Sequence, residues 1–199
     1  MNTLDQHAAA YSGDILYDFD NNILLNWYSE RILELAGHHE SILELGLGHG
    51  HATNKFSQHF KRHLILEGSS AVIDNFKKKY PSCDAEVLET LFERFETEEQ
   101  FDLVVLGFIL EHVDRPVDLI NRFLSFLKPD GSMFVAVPNA ETLNRRLGQI
   151  SGLLPDITAL SEHDYLLGHK RFYTLDTLLA DIADTGCKVR RVEGIYLKP

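Results

Sequence analysis

The amino-acid sequence predicts an α/β fold, in which a doubly wound, mostly parallel β-sheet carries helices on both faces. Short apolar segments alternate five times with segments whose apolar residues recur at helical spacing, as strand–helix–strand units do. Residues 101–106 are apolar on both faces, which is typical of a central parallel strand. Three glycines at alternate positions, Gly46, Gly48 and Gly50, follow the first predicted strand and indicate a tight turn into a helix.

Each element is predicted from its own pattern. Strands are expected at residues 41–45, 63–66, 85–88, 101–106, 133–137 and 188–197. Helices are expected over 23–36, from Ala52, from a cap at Ser69 or Ser70, from Asp114 with Pro116, and over 174–183. The fourth helix is expected to carry Leu119, Phe123 and Leu127 on one face, and Lys128–Gly131 is expected to form a turn.

The composition limits the class of protein. With 199 residues, 44% of them hydrophobic, the chain can bury a full core, and a single domain over residues 1–199 is expected. The net charge of −11 repels phosphate backbones, so nucleic acid is not an expected partner. No apolar stretch approaches the roughly 20 residues that span a bilayer, so no membrane partner is expected. Cys83 and Cys187 suit free thiols, and a soluble, cytoplasmic enzyme is predicted.

The glycine turn combines an acid before it with an amphipathic segment after it. The helix start offers free N–H groups and a positive dipole end, which suits a nucleoside-bearing cofactor. A dinucleotide turn, G-x-G-x-x-G, would place its third glycine at position 51, where this chain has His51. The third glycine is Gly50 instead, and Glu44 lies two residues before Gly46. The spacing therefore departs by one residue from that of a nicotinamide dinucleotide site.

With these features the chain resembles class I S-adenosylmethionine (SAM)-dependent methyltransferases over about residues 25–197. The resemblance is carried by an acid–glycine turn, an acid after strand two, an L-E-H segment after strand four, an L-K-P-x-G segment and two motifs around an insertion, at residues 44–50, 67, 110–113, 127–131, 137–139 and 168–173. It implies a Rossmann-like fold and SAM as the cofactor. The family's last, antiparallel strand has no counterpart before Pro199, and an open sheet edge of that kind would favour a strand-mediated homodimer.

The resemblance also implies which residues bind SAM. Glu67 corresponds to the acid that binds the ribose hydroxyls, and Leu91 and Phe92 fall near the position that contacts adenine. Gly107 and Phe108 would line the sulfonium and substrate side. The full set of implied cofactor-binding residues is Glu44, Gly46, Gly48, Gly50, Glu67, Gly68, Leu91, Phe92, Gly107 and Phe108.

Residues 139–173 interrupt the strand–helix alternation and are expected to form a lid or substrate-binding insertion. His112 and His169 are the candidate catalytic residues, because imidazole takes up a proton near neutral pH. The candidate substrate-binding residues are Asn139, His163, Arg171 and Tyr173. No metal site is expected.

These patterns together predict SAM-dependent methyl transfer to a small molecule, with an oxygen acceptor favoured over nitrogen. Two alternatives stay open on the sequence alone. One is a methyltransferase-like protein that binds SAM or a partner without turnover. The other is a nicotinamide-dependent oxidoreductase, which the missing glycine at position 51 disfavours.

Overall fold

The computed structural model describes residues 18–195, which divide into two compact units. The first unit contains the described residues up to Gly107 together with Phe123–Val135. The second contains Phe108–Arg122 together with the described residues from Ala136 onward. The expected single domain stays a prediction. Within the described part of the chain, no helix has both the length and the apolar character needed to cross a membrane.

The strands and helices follow one another in the predicted alternation. The strands are β1 (Ser41–Leu45), β2 (Arg62–Glu67), β3 (Glu86–Glu89), β4 (Phe101–Gly107) and β5 (Leu127–Ala136). The helices are α1 (Asp18–Ala36), α2 (His51–Phe56), α3 (Ser70–Lys79), α4 (Pro116–Leu124), α5 (Leu143–Ile150), α6 (Glu162–Leu166) and α7 (Leu175–Ala183). A short 3₁₀ turn covers Phe92–Arg94.

The strands form one sheet in the order β3–β2–β1–β4–β5. β1 pairs in parallel with both β2 and β4, and β2 pairs in parallel with β3. The strand order changes direction between β1 and β4, and in open α/β sheets the ligand crevice lies at the carboxyl ends of the strands at such a point. The predicted α/β fold with a parallel, Rossmann-like sheet is confirmed.

The core of the first unit consists of the central strands and a set of aromatic rings. Every residue of β1 is buried, as expected of a central parallel strand covered on both faces. Phe123 and Phe126, which flank the end of α4, pack against Phe95 with ring centroids 6.3 and 5.2 Å away. Each fully buried phenyl ring stabilises the fold by roughly 1.5–3 kcal/mol relative to an exposed one.

The start of the sheet is fixed by one carboxylate, that of Asp102. Its Oδ2 atom accepts hydrogen bonds from the Ser41 amide at 2.9 Å, the Ser41 hydroxyl at 2.7 Å and the Lys128 ammonium at 2.9 Å. Partial burial acts to raise the pKa of Asp102, but these donors outweigh it and hold the pKa well below its usual range. The carboxylate therefore joins the beginnings of β1, β4 and β5.

Two sequence predictions are wrong. The predicted turn at Lys128–Gly131 lies inside β5, which begins at Leu127, so Leu127 is not on a helix face. The Lys128 ammonium on Asp102 and the Phe101 amide on the Phe126 carbonyl, at 2.8 Å, hold this segment beside β4. Tertiary pairing there overrides the local turn preference of Pro-Asp-Gly.

The second wrong prediction is the last strand. Residues 188–195 form no strand, and residues 196–197 of the predicted segment lie outside the described part of the chain. Val189 and Val192 are 42% and 52% exposed, so their β-branched side chains are not buried as those of a core strand are. Strand propensity depends on such burial, and without it the local preference is not realised.

The glycine turn packs closely against α3. Gly50 has a φ of +74° and caps the start of α2. A Cβ atom at this position would lie 2.5 Å from Cδ2 of Phe76 and 2.9 Å from Cε2 of Tyr80. Gly50 therefore satisfies two constraints at once, a left-handed backbone and a contact too close for any side chain.

We expect Asp102→Asn to lower the free energy of unfolding at pH 7 by about 1–3 kcal/mol, because it removes the charged acceptor of a partly buried hydrogen-bond network. The folded pKa of Asp102 lies below the unfolded value, so its contribution is complete above about pH 4 and is lost as the pH falls through the folded pKa. Urea denaturation at pH 7 and pH 3 measures both effects. Asp74→Asn, at an exposed position of α3, is the control. An equal loss of unfolding free energy in the Asp74 variant would contradict the role of Asp102. So would a difference between wild type and Asp102→Asn that is as large at pH 3 as at pH 7.

We expect Gly50→Ala to lower the free energy of unfolding by roughly 2–4 kcal/mol, since it adds steric overlap with Phe76 to the strain of a left-handed alanine. Gly37→Ala is the matched control, because Gly37 has a φ of +59° in the same unit and nothing lies within 4 Å of its Cβ position. It should lose only about 1–2 kcal/mol. Equal losses in urea denaturation would show that the contact with α3 does not constrain the turn.

Candidate active site

The predicted cofactor turn has the backbone geometry that its glycines suggested. Gly46, Gly48 and Gly50 have φ values of +79°, +48° and +74°, all in the left-handed region. The Gly46 amide donates to the Leu66 carbonyl at 2.8 Å, and the Gly50 amide donates to the Leu47 carbonyl at 2.8 Å. The turn is thus fixed to the end of β2 and leads directly into α2, with bare backbone along its length.

The carboxylate of Glu67 connects this turn to the next helix. One of its oxygens accepts the Leu47 amide at 3.0 Å, and the other accepts the Ser69 amide at 2.8 Å. Burial raises the pKa of Glu67, and the hydrogen bonds from Leu47, Ser69 and Gly68 offset that effect in part. Each carboxylate oxygen can accept a second hydrogen bond. Glu67 can therefore hold the turn and accept ligand hydroxyls at the same time.

The neighbouring acid, Glu44, is engaged within the core of the first unit. Its carboxylate lies 2.9 Å from Nε2 of His63 and accepts the Thr53 hydroxyl at 3.1 Å. Thr53 lies on α2, so this contact holds the helix after the glycine turn against β1. Glu44 is only 4% exposed, and its role beside the cofactor stays a prediction.

The other predicted cofactor residues of the first unit lie at the ends of strands. Gly68 is buried directly after β2, and Leu91 and Phe92 are half-buried at the 3₁₀ turn after β3. At the end of β4, a Cβ atom on Gly107 would lie 2.1 Å from the hydroxyl oxygen of Tyr28. Only glycine fits beneath this tyrosine. Tyr28 is buried, and nothing in the sequence pattern pointed to this contact.

Phe108 is the first residue of the second unit, and its backbone is strained. Its φ is +60°, whereas every other described residue with positive φ is a glycine. The Phe108 amide donates to the Ala136 carbonyl at 2.8 Å, which keeps the segment in place. Bulky residues in this conformation are uncommon, and such strain concentrates at functional sites. The predicted cofactor role of Phe108 itself stays untested.

The second unit brings together the two candidate catalytic histidines. The rings of His112 and His169 meet edge to face with their centroids 4.8 Å apart. Glu111, which is only 1% exposed, has its Oε1 atom 4.0 Å from Nε2 of His112. These three residues present one ligand atom each, and the three atoms lie within 4.8 Å of one another.

The environment shifts the pKa of two members of this cluster. Burial raises the pKa of Glu111 to about 8, although its own backbone amide and the charge of Arg171 act to lower it. Burial also lowers the pKa of His169, and Asp164, with Oδ1 at 3.4 Å from Nδ1 of His169, offsets this in part. The His169 ring is therefore neutral at neutral pH, the form that accepts a proton or binds a metal ion.

The predicted substrate-binding residues fall around the insertion and differ in their surroundings. Asn139 and Tyr173 form a parallel β-bridge, which joins the two ends of the insertion. The Tyr173 hydroxyl donates to Asp181 at 2.9 Å, and burial together with Asp181 raises the pKa of Tyr173. His163 is exposed on α6. No contact tests these residues as substrate ligands, so that role stays a prediction.

Arg171, the remaining predicted substrate-binding residue, has its guanidinium on backbone carbonyls. It donates to Leu110 at 2.9 Å and to Val113 at 2.5 Å, with a longer contact of 3.3 Å to Asp114. These bonds fix the segment that carries Glu111. The sequence did not single out Glu111 as a ligand, because neither its burial nor its proximity to His169, 58 positions along the chain, is visible in local patterns. It did not single out Asp164 as a partner of His169 either.

Comparisons with known proteins agree with this geometry. The family described as "Methyltransferase domain" matches residues 17–192. A ubiquinone biosynthesis O-methyltransferase from Acinetobacter baylyi is 25% identical over 189 residues, which is 90% of this chain and 75% of that protein. The enzyme of the same name from Parvibaculum lavamentivorans is 31% identical over 111 residues, which is 51% of this chain and only 39% of that protein.

Among solved structures, the N-methyltransferase NodS from Bradyrhizobium japonicum WM9, in complex with S-adenosyl-L-homocysteine, superposes with a TM-score of 0.65 at 19% identity. The match covers 92% of this chain and 86% of that one, and at this identity it shows the fold alone. The family match covers most of the chain. The chain therefore belongs to the class I SAM-dependent methyltransferase family.

Proposed function

We propose that this protein transfers the methyl group of SAM to a hydroxyl oxygen of a small molecule and releases S-adenosylhomocysteine. The observation that carries this choice of acceptor atom is the contact between His112 and His169. A hydroxyl must lose its proton as it is methylated, and imidazole accepts protons near neutral pH. An uncharged amine already has a free lone pair and needs no base for the attack.

In the proposed reaction a lone pair of the acceptor oxygen forms the new O–C bond. The S–C bond of the sulfonium breaks, and its electron pair stays on sulfur, which becomes a neutral thioether. The hydroxyl proton passes to His112 or His169 and from there to solvent. SAM supplies an already activated methyl group, so the protein has to align the acceptor oxygen with the S–C bond and exclude water.

On the cofactor side, Glu67 would accept the ribose hydroxyls with the lone pairs that its two backbone donors leave available. The Gly46–Gly50 turn would let the cofactor approach bare backbone. Gly68, Leu91 and Phe92 lie at strand ends of the same unit and would contact the nucleoside.

A small-molecule acceptor is supported by charge and by the relatives. The net charge of −11 disfavours nucleic acid, and Asn139, His163, Arg171 and Tyr173 would shape the acceptor site. The relative from A. baylyi is by name an O-methyltransferase of ubiquinone biosynthesis, which supports a hydroxylated acceptor. NodS is an N-methyltransferase, so amines belong in any test. A homodimer and a cytoplasmic location are further parts of this proposal.

Two other functions compete with this one. A methyltransferase-like protein without turnover would bind SAM and form no S-adenosylhomocysteine. A nicotinamide-dependent oxidoreductase would bind NADH, but the glycine spacing and the family both oppose it. Binding of SAM together with product formation separates the three.

We expect Glu67→Gln to weaken S-adenosylhomocysteine binding by about tenfold or more, because loss of a charged hydrogen-bond acceptor costs roughly 1.5–3 kcal/mol. Isothermal titration calorimetry measures the affinity directly. Glu89→Gln is the matched control, since Glu89 is an exposed glutamate at the end of β3. Wild-type affinity in the Glu67 variant would show that this carboxylate does not contact the cofactor.

We expect methyl-labelled SAM to label hydroxylated acceptors in preference to their amine counterparts. Catechol and 2-aminophenol, each with longer-chain derivatives, form suitable matched pairs, and mass spectrometry identifies the methylated atom. His112→Gln should lower the rate of O-methylation by about 10²–10⁴-fold with little change in S-adenosylhomocysteine affinity.

Exclusive N-methylation, or full O-methylation by the His112 variant, would contradict the proposed acceptor chemistry. Absence of turnover over a broad acceptor panel and a host extract, with tight S-adenosylhomocysteine binding, would favour the non-catalytic alternative.

A further inference from the structure

Glu111 lies beside His112 and His169, and the proposed methyl transfer uses the two histidines but gives this carboxylate no role. Glu111 and His112 follow β4. His169 follows α6 and lies 57 positions after His112. Three ligand atoms, one from each residue, lie within 4.8 Å of one another. One carboxylate and two imidazoles are a donor set that first-row divalent metal ions prefer.

The carboxylate of Glu111 is buried with one oxygen unsatisfied. Glu111 is 1% exposed, and its Oε2 atom has no hydrogen-bond partner among the described residues. The nearby cations are directed elsewhere, since Arg171 donates to the carbonyls of Leu110 and Val113 and Lys170 pairs with Asp114. A buried polar atom without a partner is costly, and native structures keep few of them.

His169 shows a second feature of a metal ligand. Its Nδ1 atom is buried, and Oδ1 of Asp164 lies 3.4 Å away from it, at ion-pair distance. Asp164 is itself buried and held by the amide of Ser161 at 2.7 Å. A buried carboxylate beside an imidazole is the arrangement that orients metal-binding histidines and raises their basicity.

We propose that Glu111, His112 and His169 bind a first-row divalent metal ion, such as Zn²⁺, Mn²⁺, Fe²⁺ or Co²⁺. Ligand atoms about 2.0–2.2 Å from one ion lie roughly 3.0–3.5 Å from each other. Oε1 of Glu111 and Nε2 of His112 are 4.0 Å apart, and the three ligand atoms all lie within 4.8 Å of one another, so side-chain shifts of about 1–2 Å complete the site. The unsatisfied Oε2 atom of Glu111 leaves the carboxylate free to turn either oxygen towards the ion.

Three protein ligands leave further coordination positions open, as in catalytic rather than structural metal sites. The next step rests on the proposed function. A hydroxyl bound at an open position would have its pKa lowered by the ion, and its proton would pass to water. Methylation of that oxygen would then need no protein base, and both histidines would act as ligands.

The test measures metal binding by tag-free, EDTA-treated protein without acceptor or SAM. Titration with Co²⁺ followed by visible absorption reports nitrogen and oxygen coordination, and calorimetry with Zn²⁺ or Mn²⁺ gives the stoichiometry. One ion per chain is expected. Glu111→Gln and His169→Ala should each weaken binding by more than about 100-fold. His59→Ala is the matched control, because His59 is an exposed histidine of the first unit.

Affinity for S-adenosylhomocysteine, which depends on residues of the first unit, reports whether each variant is folded. Metal binding that survives in both cluster variants, or that is lost equally in His59→Ala, would overturn the proposal. So would the absence of stoichiometric binding of any of these ions. Because no acceptor is present, these outcomes do not depend on the proposed O-methylation. If the metal site is absent, O-methylation can still proceed with the two histidines as bases.

Discussion

The glycine turn of the first unit depends on a partly buried carboxylate, which accepts hydrogen bonds from backbone N–H groups at the carboxyl end of β2. Glu67 receives the amides of Leu47 and Ser69, and so connects the glycine turn after β1 with the start of α3. Those amides lie at a turn and ahead of a helix, where no helical or sheet partner can take them. These hydrogen bonds offset in part the free-energy cost of burying the charged carboxylate. They also fix the glycine turn relative to the start of α3.

Both units contain buried polar groups with and without hydrogen bonds. In the first unit the carboxylates of Glu44 and Asp102 are hydrogen-bonded to neighbouring side chains, while the Nδ1 atoms of His39 and His63 have no hydrogen-bond partner among the described residues. In the second unit the same holds for Oε2 of Glu111 and Nδ1 of His169. What distinguishes the second unit is that Glu111 and His169 lie together with His112, so that three ligand atoms are within 4.8 Å of one another. The proposed metal site rests on this grouping.

The sequence predictions succeeded where a local pattern and the tertiary environment agree. β1, β2 and β4 are buried on both faces, so their apolar runs were diagnostic. Ser69, one of the two capping residues that the sequence offered, caps α3 through its hydroxyl. The predictions failed at Lys128–Gly131 and at 188–195. At Lys128–Gly131 the position beside β4 outweighs the local turn preference. Residues 188–195 have a strand-like pattern but form no strand. Register and edge pairing are long-range properties that composition does not encode.

The sequence by itself determined the fold class, the cofactor family and the positions of the glycine turn and Glu67. These follow from local order along the chain, because the turn, the strand before it and the acid after β2 lie within 25 residues. Only the tertiary structure decided what surrounds the candidate catalytic residues. It placed Arg171 on backbone carbonyls, buried Glu111 without a partner for one oxygen, and brought His112 to His169. The reason is physical: burial and contact between distant segments set the charge and hydrogen bonding of a site, and neither is a property of neighbouring residues alone.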